Sequence, residues 1–329
     1  MRDIARRPEK DRSDLFRATA RSMHVHEAIV EKDFWVCWIL DYLFGDSPWR
    51  DQLAFKGGTS LSKAFGAIER FSEDIDLILD WRTLGYSEEE PWARRSAKKQ
   101  DAFGKAANRK VSEFLSKDFV PVLRKELISR AGAAIGIETA GQDVFIRYPQ
   151  AFSSEAVQPQ VRLEIGPLAG WLPNEEKSIR SYAADHFPRL FSRPGAIVRT
   201  IAAERTFWEK ATILHKEAHR GSDKPLPPRF SRHYYDLYRL SLLPIAASAL
   251  ARPDILEKVV KFKMRFYHCL WARYEQAKPG SLRLLAPEHH LAELKKDFKD
   301  MRAMLFGSVP AFEAIMSGLV SLEKAINRL

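Results

Sequence analysis

The sequence reads Lys56-Gly57-Gly58-Thr59-Ser60-Leu61-Ser62-Lys63 and then, further along, Arg70-Phe71-Ser72-Glu73-Asp74-Ile75-Asp76-Leu77. A glycine-rich turn here opens a predicted helix, and the helix leads to an apolar strand over Ile75 to Leu79. Because side chains two apart on a strand point to the same face, Asp74 and Asp76 share one face. Two carboxylates on one face repel each other, so the pattern favours a cation between them.

These features together are typical of a nucleotide site. Mg²⁺ prefers one or two carboxylates together with phosphate oxygens. The glycines let backbone N–H groups approach a phosphate, and the N-terminus of the next helix adds a positive dipole end. The pattern therefore predicts a metal-bound nucleoside triphosphate. Taken separately, a Gly-Gly turn is usually only a turn and an Asp-x-Asp strand end is usually solvated, so the prediction depends on their joint occurrence.

The length, composition and charge limit the classes of protein to which the chain could belong. The chain has 329 residues, of which 45% are hydrophobic, enough for one large domain or two moderate ones. Its net charge of +10 suits a polyanionic partner, although solubility alone would also explain it. No signal peptide and no apolar run of transmembrane length is visible, so we expect a cytoplasmic protein. Cys37 and Cys269 lie in apolar, helix-like surroundings and are predicted to be buried thiols.

Hydrophobic periodicity predicts a mixed first part and a helical second part, with a boundary near residue 195. In the first part we expect a polar, frayed helix over 8–22, helices over 26–44 and 93–130, a strand, turn and helix over 53–67, and further strands at 75–79, 134–139, 144–148 and 160–165. Residues 167–194 are predicted to be irregular. In the second part we expect helices over 202–219, 231–243, 253–275, 288–305 and 310–328.

A third carboxylate is predicted on a strand near the first two. The alternation over 160–165 places Arg162 and Glu164 on one face. Polymerase-type sites with two metals use such a carboxylate, since the metals activate an attacking hydroxyl and stabilise the leaving oxygen. Glu164 is therefore a candidate ligand. The alternative is an exposed glutamate paired with Arg162.

Further groups of charged residues can be interpreted as parts of a functional site or as plain structural features. Lys210 lies beside an apolar stripe and could reach a cleft, or it could be a surface lysine. Arg232 and Asp236 are four residues apart on a predicted helix, where they could serve a site or form a plain salt bridge. The run Glu31-Lys32-Asp33 is interpreted as a solvated first turn. The basic segments 93–130 and 220–230 are candidate nucleic-acid contacts, although most charge runs are solvated.

These segments together resemble the AbiEii/AbiGii (MenT-like) toxin nucleotidyltransferases, within the DNA polymerase beta-like nucleotidyltransferase superfamily. The run from Lys56 to Leu77 is similar to the first motif of that family, 204–210 to the second, and 232–237 to the third. The gap between Gly58 and Asp74 is slightly longer than the superfamily's usual one. It leaves open which of Thr59 and Ser60 contacts phosphate. The family also carries a run similar to Glu31-Lys32-Asp33, and the resemblance implies that this run supports the site from behind.

The resemblance implies an α+β, bilobed fold with a polymerase beta-like core, a mixed sheet and a C-terminal helical bundle. Residues 1–194 would be the nucleotidyltransferase α/β domain, and 195–329 a helical domain completing the active-site cleft. It implies that Mg²⁺, or else Mn²⁺, is held by Asp74, Asp76 and Glu164, and that Lys210 and Asp236 belong to the catalytic site. The implied nucleotide-binding residues are Lys56, Gly57, Gly58, Thr59, Ser60, Ser72, Lys210 and Arg232.

The resemblance also implies a function. The chain would be the toxin of a toxin–antitoxin pair, transferring NMP from an NTP to the 3′ end of tRNA and blocking translation. Its partners would be tRNA and a cognate antitoxin. The alternatives are a nucleotidyltransferase acting on a small molecule or a protein side chain, and a catalytically silent nucleic-acid-binding protein. Ser72 is also hypothesised to be a phosphorylation switch, with capping of the turn as its alternative role.

Overall fold

The computed structural model describes residues 1–132, 134–155, 157–168 and 170–329, which divide into two compact units. The first unit comprises Met1–Ala64 and Ser72–Ile201, and the second comprises Phe65–Phe71 and Ala202–Leu329. The first unit is built on a mixed sheet and the second is helical, so the expected α+β class is confirmed. No helix in these described ranges is long and apolar enough to cross a membrane.

The first unit holds all the strands that the described residues form. They are β1 (Leu53–Lys56), β2 (Ile75–Leu79), β3 (Gly136–Ala140), β4 (Asp143–Arg147), β5 (Gln160–Gly166), β6 (Asn174–Arg180) and β7 (Gly195–Ile201). Its helices are α1 (Arg2–Ala5), α2 (Glu9–Met23), α3 (Glu27–Gly45), α4 (Gly57–Lys63), α5 (Ala97–Phe114), α6 (Val120–Ala131) and α7 (Tyr182–His186). A π-helical turn over Leu115–Phe119 joins α5 to α6, so the predicted basic helical region is continuous.

The strands form one sheet in the order β3-β4-β5-β2-β1-β7-β6. β2 pairs with β5 in parallel and with β1 in antiparallel orientation, so the strand after Asp74 lies in the middle of the sheet. β1 also pairs in parallel with β7, and the remaining neighbours are antiparallel. This mixture of orientations is the mixed sheet that the sequence predicted.

The two faces of the sheet have different surroundings. Alternate apolar residues of the central strands, such as Phe55, Leu77 and Leu163, are buried in the main core with residues of α3, α5 and α6. α3 is buried on nearly every side, from Ala28 to Leu43. The opposite face carries a much smaller apolar cluster and the charged residues of the candidate site. The period-2 alternation of each strand thus assigns one set of side chains to the core and the other to the site.

The second unit consists of helices and the short segment that precedes Ser72. Its helices are α8 (Ala203–Glu217), α9 (Ser231–Ser241), α10 (Pro244–Leu250), α11 (Pro253–Phe266), α12 (Glu288–Asp300) and α13 (Phe312–Ile326). Within it, Phe71 N donates to Met304 O at 2.7 Å and Phe306 N donates to Glu69 O at 2.8 Å. These bonds explain why Phe65–Phe71 groups with the C-terminal helices although it lies between α4 and β2 in sequence.

The predicted irregular segment 167–194 and the expected boundary near 195 differ from the structure. β6 and α7 lie inside that segment, and β7 lies just beyond the boundary yet belongs to the first unit. β6 is an edge strand with a mostly polar sequence, so it lacks the alternation that reveals a half-buried strand. The first unit therefore extends to Ile201.

Three smaller expectations also need correction. α2 is not frayed, because Leu15 and Phe16 on it are buried. Cys37 is buried as expected, but Cys269 is only partly buried. The helix predicted over 253–275 ends at Phe266, and α10 was not predicted.

Candidate active site

Gly57 brings the backbone of the glycine turn against the carboxylate of Asp76. β1 ends at Lys56, and α4 begins directly at Gly57, whose φ is 80°. A Cβ atom at position 57 would lie 1.9 Å from Asp76 Oδ2, much closer than any side chain can approach. Both the left-handed backbone and the close approach therefore require glycine here.

Four charged side chains form a row across β1, β2, β5 and β4. In the strand registers Lys56 is paired with Asp76, Asp76 with Glu164, and Glu164 with Asp143. Lys56 Nζ lies 3.9 Å from Asp76 Oδ1. Residues in register on neighbouring strands project from the same face. The predicted carboxylates Asp76 and Glu164 are thus neighbours on the face opposite the main core.

Arg162 connects the last two carboxylates of this row. Its Nη2 lies 2.9 Å from Asp143 Oδ2 and 3.3 Å from Glu164 Oε2. The alternative that the sequence offered for Glu164, an exposed glutamate paired with Arg162, is therefore present in the structure. Asp143 was missed by the sequence analysis because it follows a turn and shows no motif spacing with the other carboxylates.

Asp74 lies immediately before β2, in surroundings that disfavour its ionisation. Burial raises its pKa, and the nearby carboxylates of Glu73 and Asp76 raise it further. Lys32 and Arg162 oppose this shift. A divalent cation would relieve the repulsion directly, because it favours the ionised form of both aspartates.

The carboxylates of this face can be compared with the ligands that Mg²⁺ prefers. Mg²⁺ binds oxygen atoms and is usually held by only one or two protein carboxylates. Asp74 and Asp76 could be these two carboxylates. Asp76 lies directly against the backbone of Gly57, in the space that a Cβ atom at position 57 would fill. Within the described residues no three acidic, histidine or cysteine side chains converge as a metal-binding group. Glu164 would therefore have to release Arg162 before joining the two aspartates.

The hydroxyl groups of the glycine turn contact protein atoms. Thr59 Oγ1 lies 2.9 Å from Ser72 Oγ and 2.5 Å from the Asp74 carbonyl oxygen. Ser60 Oγ donates to Gly57 O at 2.9 Å. Thr59 and Ser60 are both buried. These bonds join the turn to the segment that carries Asp74, and they leave the backbone of Gly57 and Gly58 as the turn's more accessible part.

The run Glu31-Lys32-Asp33 is buried in α3, so its interpretation as a solvated first turn is wrong. Lys32 Nζ donates to Glu73 Oε2 at 2.5 Å and to Gln158 O at 3.1 Å. The Glu31 carboxylate accepts hydrogen bonds from the backbone N–H groups of 151 and 152, at 2.8 and 3.0 Å. Burial raises the pKa of Glu31 to about 7, although those two hydrogen bonds oppose the shift.

Asp33 holds the far end of the glycine-turn helix. Its Oδ1 accepts from Lys63 Nζ at 2.5 Å, and its Oδ2 accepts from Tyr182 N at 2.6 Å. Lys63 Nζ also lies 3.8 Å from the centre of the Tyr182 ring. Burial opposes the charge on Lys63, but the Asp33 carboxylate raises the pKa of that lysine. α3 therefore connects to both segments of the site, through Lys63 to α4 and through Glu73 to the start of β2.

In the second unit Asp236 is the centre of a buried network. Arg70 donates to both carboxylate oxygens, at 2.6 and 2.9 Å, and Lys210 Nζ donates to Oδ2 at 2.6 Å. Lys210 Nζ also lies 3.2 Å from His233 Nδ1. Although burial opposes its ionisation, the two cations hold the pKa of Asp236 well below its usual range. The predicted pair Asp236–Arg232 is replaced by Asp236–Arg70, which the sequence analysis missed.

This network carries more positive than negative charge. Burial lowers the pKa of Lys210, and the charges of Arg70 and Arg232 add to that effect while Asp236 opposes it. Burial and the neighbouring cations Lys210 and Arg232 lower the pKa of His233 well below its ordinary value, which favours the neutral imidazole. Arg232 itself is exposed. A buried cluster with excess positive charge is suited to an anionic ligand.

Comparison with known proteins decides the family. A family model described as nucleotidyl transferase AbiEii toxin, type IV toxin–antitoxin system, matches residues 38–318. The chain belongs to the AbiEii family. It is therefore a nucleotidyltransferase toxin of a type IV toxin–antitoxin system, and the matched residues include every predicted site residue of both units.

The chain is also similar to solved structures of two bacterial proteins. MenT4, a nucleotidyltransferase toxin from Mycobacterium tuberculosis H37Rv, is 17% identical, with a TM-score of 0.46 over 95% of this chain and 98% of that one. JHP933 from Helicobacter pylori is 14% identical, with a TM-score of 0.37 over 92% of this chain and 95% of that one. No curated protein matches the sequence.

Proposed function

We propose that this AbiEii protein transfers a nucleoside monophosphate from an NTP to the 3′ end of a tRNA, in a reaction that requires a divalent metal, and thereby blocks translation. The observation that carries the proposal is the contact between Gly57 and Asp76, with Asp74 beside it on one sheet face. It places a backbone turn of the kind that binds phosphate next to carboxylates of the kind that bind metal ions. A cognate antitoxin would be the protein partner, as the family implies.

In the proposed reaction the 3′-hydroxyl oxygen forms a bond to the α-phosphorus of the NTP. The bond from that phosphorus to the oxygen bridging the β-phosphate breaks, and pyrophosphate leaves. The hydroxyl proton is released to solvent. Asp74, Asp76 and Glu164 would hold Mg²⁺ or Mn²⁺, which when bound activates the hydroxyl and stabilises the leaving oxygen.

The other predicted residues receive proposed roles that match their contacts. Backbone N–H groups at Gly57 and Gly58 would bind phosphate oxygens, with Lys56 adding a positive charge beside Asp76. Thr59, Ser60 and Ser72 would hold the turn in shape, since their hydroxyls bond within the protein. In the second unit, Lys210 and Arg232 would balance phosphate charge, as charge-assisted contacts do when pyrophosphate leaves.

Asp236 is proposed to act as a positioning residue. Its carboxylate is fully buried and bonded on both oxygens by Arg70 and Lys210. Both of its oxygens are thus engaged by cations, and its effect on catalysis would pass through the two cations that it orients.

The test is incubation of the protein with each α-³²P-labelled NTP and Mg²⁺, together with total tRNA, free amino sugars or no added acceptor. We expect label on tRNA, and none on tRNA whose 3′-terminal diol has been oxidised with periodate before the incubation. Label on the sugars or on the protein itself would support the small-molecule or side-chain alternative. Absence of label in every arm would refute the proposed reaction.

Asp76→Asn and Asp74→Asn test the site, because each replaces a carboxylate by a neutral amide of nearly the same size. Both should abolish transfer while keeping the fold, because each removes a charge from a repelling pair. Thermal unfolding gives a second readout: Mg²⁺ with a non-hydrolysable NTP analogue should raise the Tm of the wild type and leave the Tm of Asp76→Asn unchanged. Equal shifts in both proteins would place the metal elsewhere.

A further inference from the structure

Three cationic side chains surround one tryptophan in the second unit. Lys216 Nζ, Arg220 Cζ and Lys224 Nζ lie 5.0, 5.1 and 4.9 Å from the centre of a Trp271 ring. We call these four residues the Trp271 cluster. Cation–π attraction accounts for the position of each charge on its own. It does not account for three like charges gathered around a single ring, because they repel one another.

The charge of the Trp271 cluster is only partly balanced. Arg220 donates to both carboxylate oxygens of the buried Glu217, and Lys216 Nζ lies 3.8 Å from the same carboxylate. In the part of the chain that the structure describes, no acidic side chain forms an ion pair with Lys224. Counted together with Glu217, the Trp271 cluster has three positive charges and one negative charge. It therefore attracts an anion.

The loop that carries Arg220 and Lys224 is held in place by hydrogen bonds to α12 and by one within the loop. His289 Nε2 lies 3.1 Å from Arg220 O, and His290 Nε2 lies 3.2 Å from Gly221 O. Arg220 Nη1 donates to Pro225 O at 3.1 Å. The cations therefore stand around Trp271 before any ligand arrives, which reduces the entropy that binding would lose.

Arg220 and the two lysines have different roles within the cluster. The Arg220 side chain is 11% exposed and all its nitrogen atoms have partners, so it supports the ring and the loop. Lys216 is 32% exposed and Lys224 is partly exposed, so their ammonium groups can reach a ligand. Leu270, next to Trp271 in the chain, is 84% exposed. Positive charge and exposed apolar surface therefore lie side by side.

We propose that the Trp271 cluster is a binding site for the phosphate backbone of the RNA acceptor. Lys216 and Lys224 would contact phosphate oxygens, and Leu270 with the open edge of Trp271 would contact an unstacked base or a ribose. Such combinations of cations and apolar rings are typical of sites for single-stranded nucleic acid. This inference rests on the proposed function, since it takes the acceptor to be RNA.

An anionic membrane surface could also attract two lysines and an exposed leucine. RNA is favoured because the Trp271 ring is clamped by three cations and half-buried, so it cannot insert among lipid chains. Lysines held beside a fixed ring instead combine phosphate contacts with a surface for stacking, which is the combination that binds single-stranded nucleic acid.

The test compares Lys216→Gln/Lys224→Gln with Lys258→Gln/Lys261→Gln. The second pair lies on the exposed surface of α11 in the same unit and removes the same net charge. Binding of 5′-fluorescein-labelled tRNA is measured by anisotropy at several salt concentrations. The cluster variant should bind about tenfold more weakly at 0.15 M salt, with a log–log salt slope smaller by about 1.4, since each phosphate contact in a single strand contributes about 0.7. The control pair should change affinity by less than about twofold.

Further variants separate a binding role from a folding role. Leu270→Ser leaves every cation in place and should weaken tRNA binding with the salt slope unchanged. Equal losses in the two lysine pairs, or no loss in the cluster variant, would overturn the inference. Vesicles containing phosphatidylglycerol are a second arm: loss of vesicle binding with unchanged tRNA binding would assign the cluster to membranes. If the wild type labels no tRNA, the proposed acceptor fails; if it does and the cluster variant binds tRNA normally, only this inference fails.

Discussion

At the scale of single residues, Gly57 and Asp76 constrain each other. The backbone at Gly57 is left-handed, and the space where a Cβ would lie is occupied by a carboxylate oxygen. Glycine is thus required at position 57 for two independent reasons, one conformational and one steric. Gly85 has a similar φ of 78° with nothing near its missing Cβ, so it has only the conformational reason.

Gly57→Ala should therefore be more damaging than Gly85→Ala. Strain from a left-handed alanine is on the order of 1–3 kcal/mol and should appear in both variants. Only Gly57→Ala should also displace Asp76 and abolish nucleotide transfer. Urea unfolding measures the free energy of unfolding, and the labelled-NTP assay measures transfer. Full activity of Gly57→Ala would show that the turn does not depend on this contact.

Glu31 gives a prediction about pH. Its pKa of about 7 in the folded protein lies above its ordinary value, because burial disfavours the charge. The folded state therefore binds more protons at this group than the unfolded state between about pH 4.5 and 7. Its contribution makes the protein less stable as the pH rises through that range. Glu31→Gln should flatten this fall in the free energy of unfolding, measured by urea titration from pH 5 to 8. Parallel curves for the two proteins would contradict the buried, titrating carboxyl.

At the scale of elements, α3 is the support to which the site segments are tied. Its apolar residues fill the main core, while three consecutive charged residues bond to segments around the site. Burying a charged side chain lowers the stability of the fold unless the charge is paired and fully hydrogen-bonded. Their presence in the middle of a buried helix indicates a positioning role, with Lys63 and Glu73 as the points of attachment.

The pair Asp33–Lys63 allows this role to be measured. Lys63→Met leaves a buried carboxylate without its cation and should lower the free energy of unfolding by about 3–5 kcal/mol. Asp33→Asn/Lys63→Met removes both charges and should recover part of that loss. If the pair also positions the glycine turn, the double variant should keep a raised KM for NTP after stability is recovered. A normal KM in the double variant would limit the pair to a structural role.

At the scale of the whole molecule, the chain passes between its two compact units three times. One passage places Phe65–Phe71 in the second unit, between α4 and β2 of the first. Arg70 in this segment bonds to Asp236 of α9, and it lies four residues before Asp74 in the chain. The segment that leads into the carboxylate strand is thus anchored among the C-terminal helices.

Arg70→Met should loosen that anchor. It leaves Asp236 paired with Lys210 alone and should increase hydrogen–deuterium exchange in α9 and around 304–306, which bonds to the segment 69–71. Arg239→Met is the control, since it removes a partly exposed pair with Glu69 and should have little effect. Unchanged exchange in Arg70→Met would show that the helices hold their arrangement without the buried arginine.

The sequence by itself determined the parts of this protein that depend on local periodicity and short motifs. The apolar strand 75–79, the long helix over 26–44 and every C-terminal helix except α10 follow from side-chain spacing, which reports a buried face directly. The AbiEii family was recognisable from the glycine turn and the Asp-x-Asp strand. In each case the signal lies within a few residues of chain.

Only the tertiary structure decided which charges meet. Asp143 and Glu164 became neighbours through strand register, Arg70 reached Asp236 across more than a hundred residues, and β6 was revealed by pairing alone. Glu31-Lys32-Asp33 resembled a solvated turn because its partners come from distant segments. A charged residue carries no local sign of whether its partner is water or another chain segment, since that is settled by long-range packing.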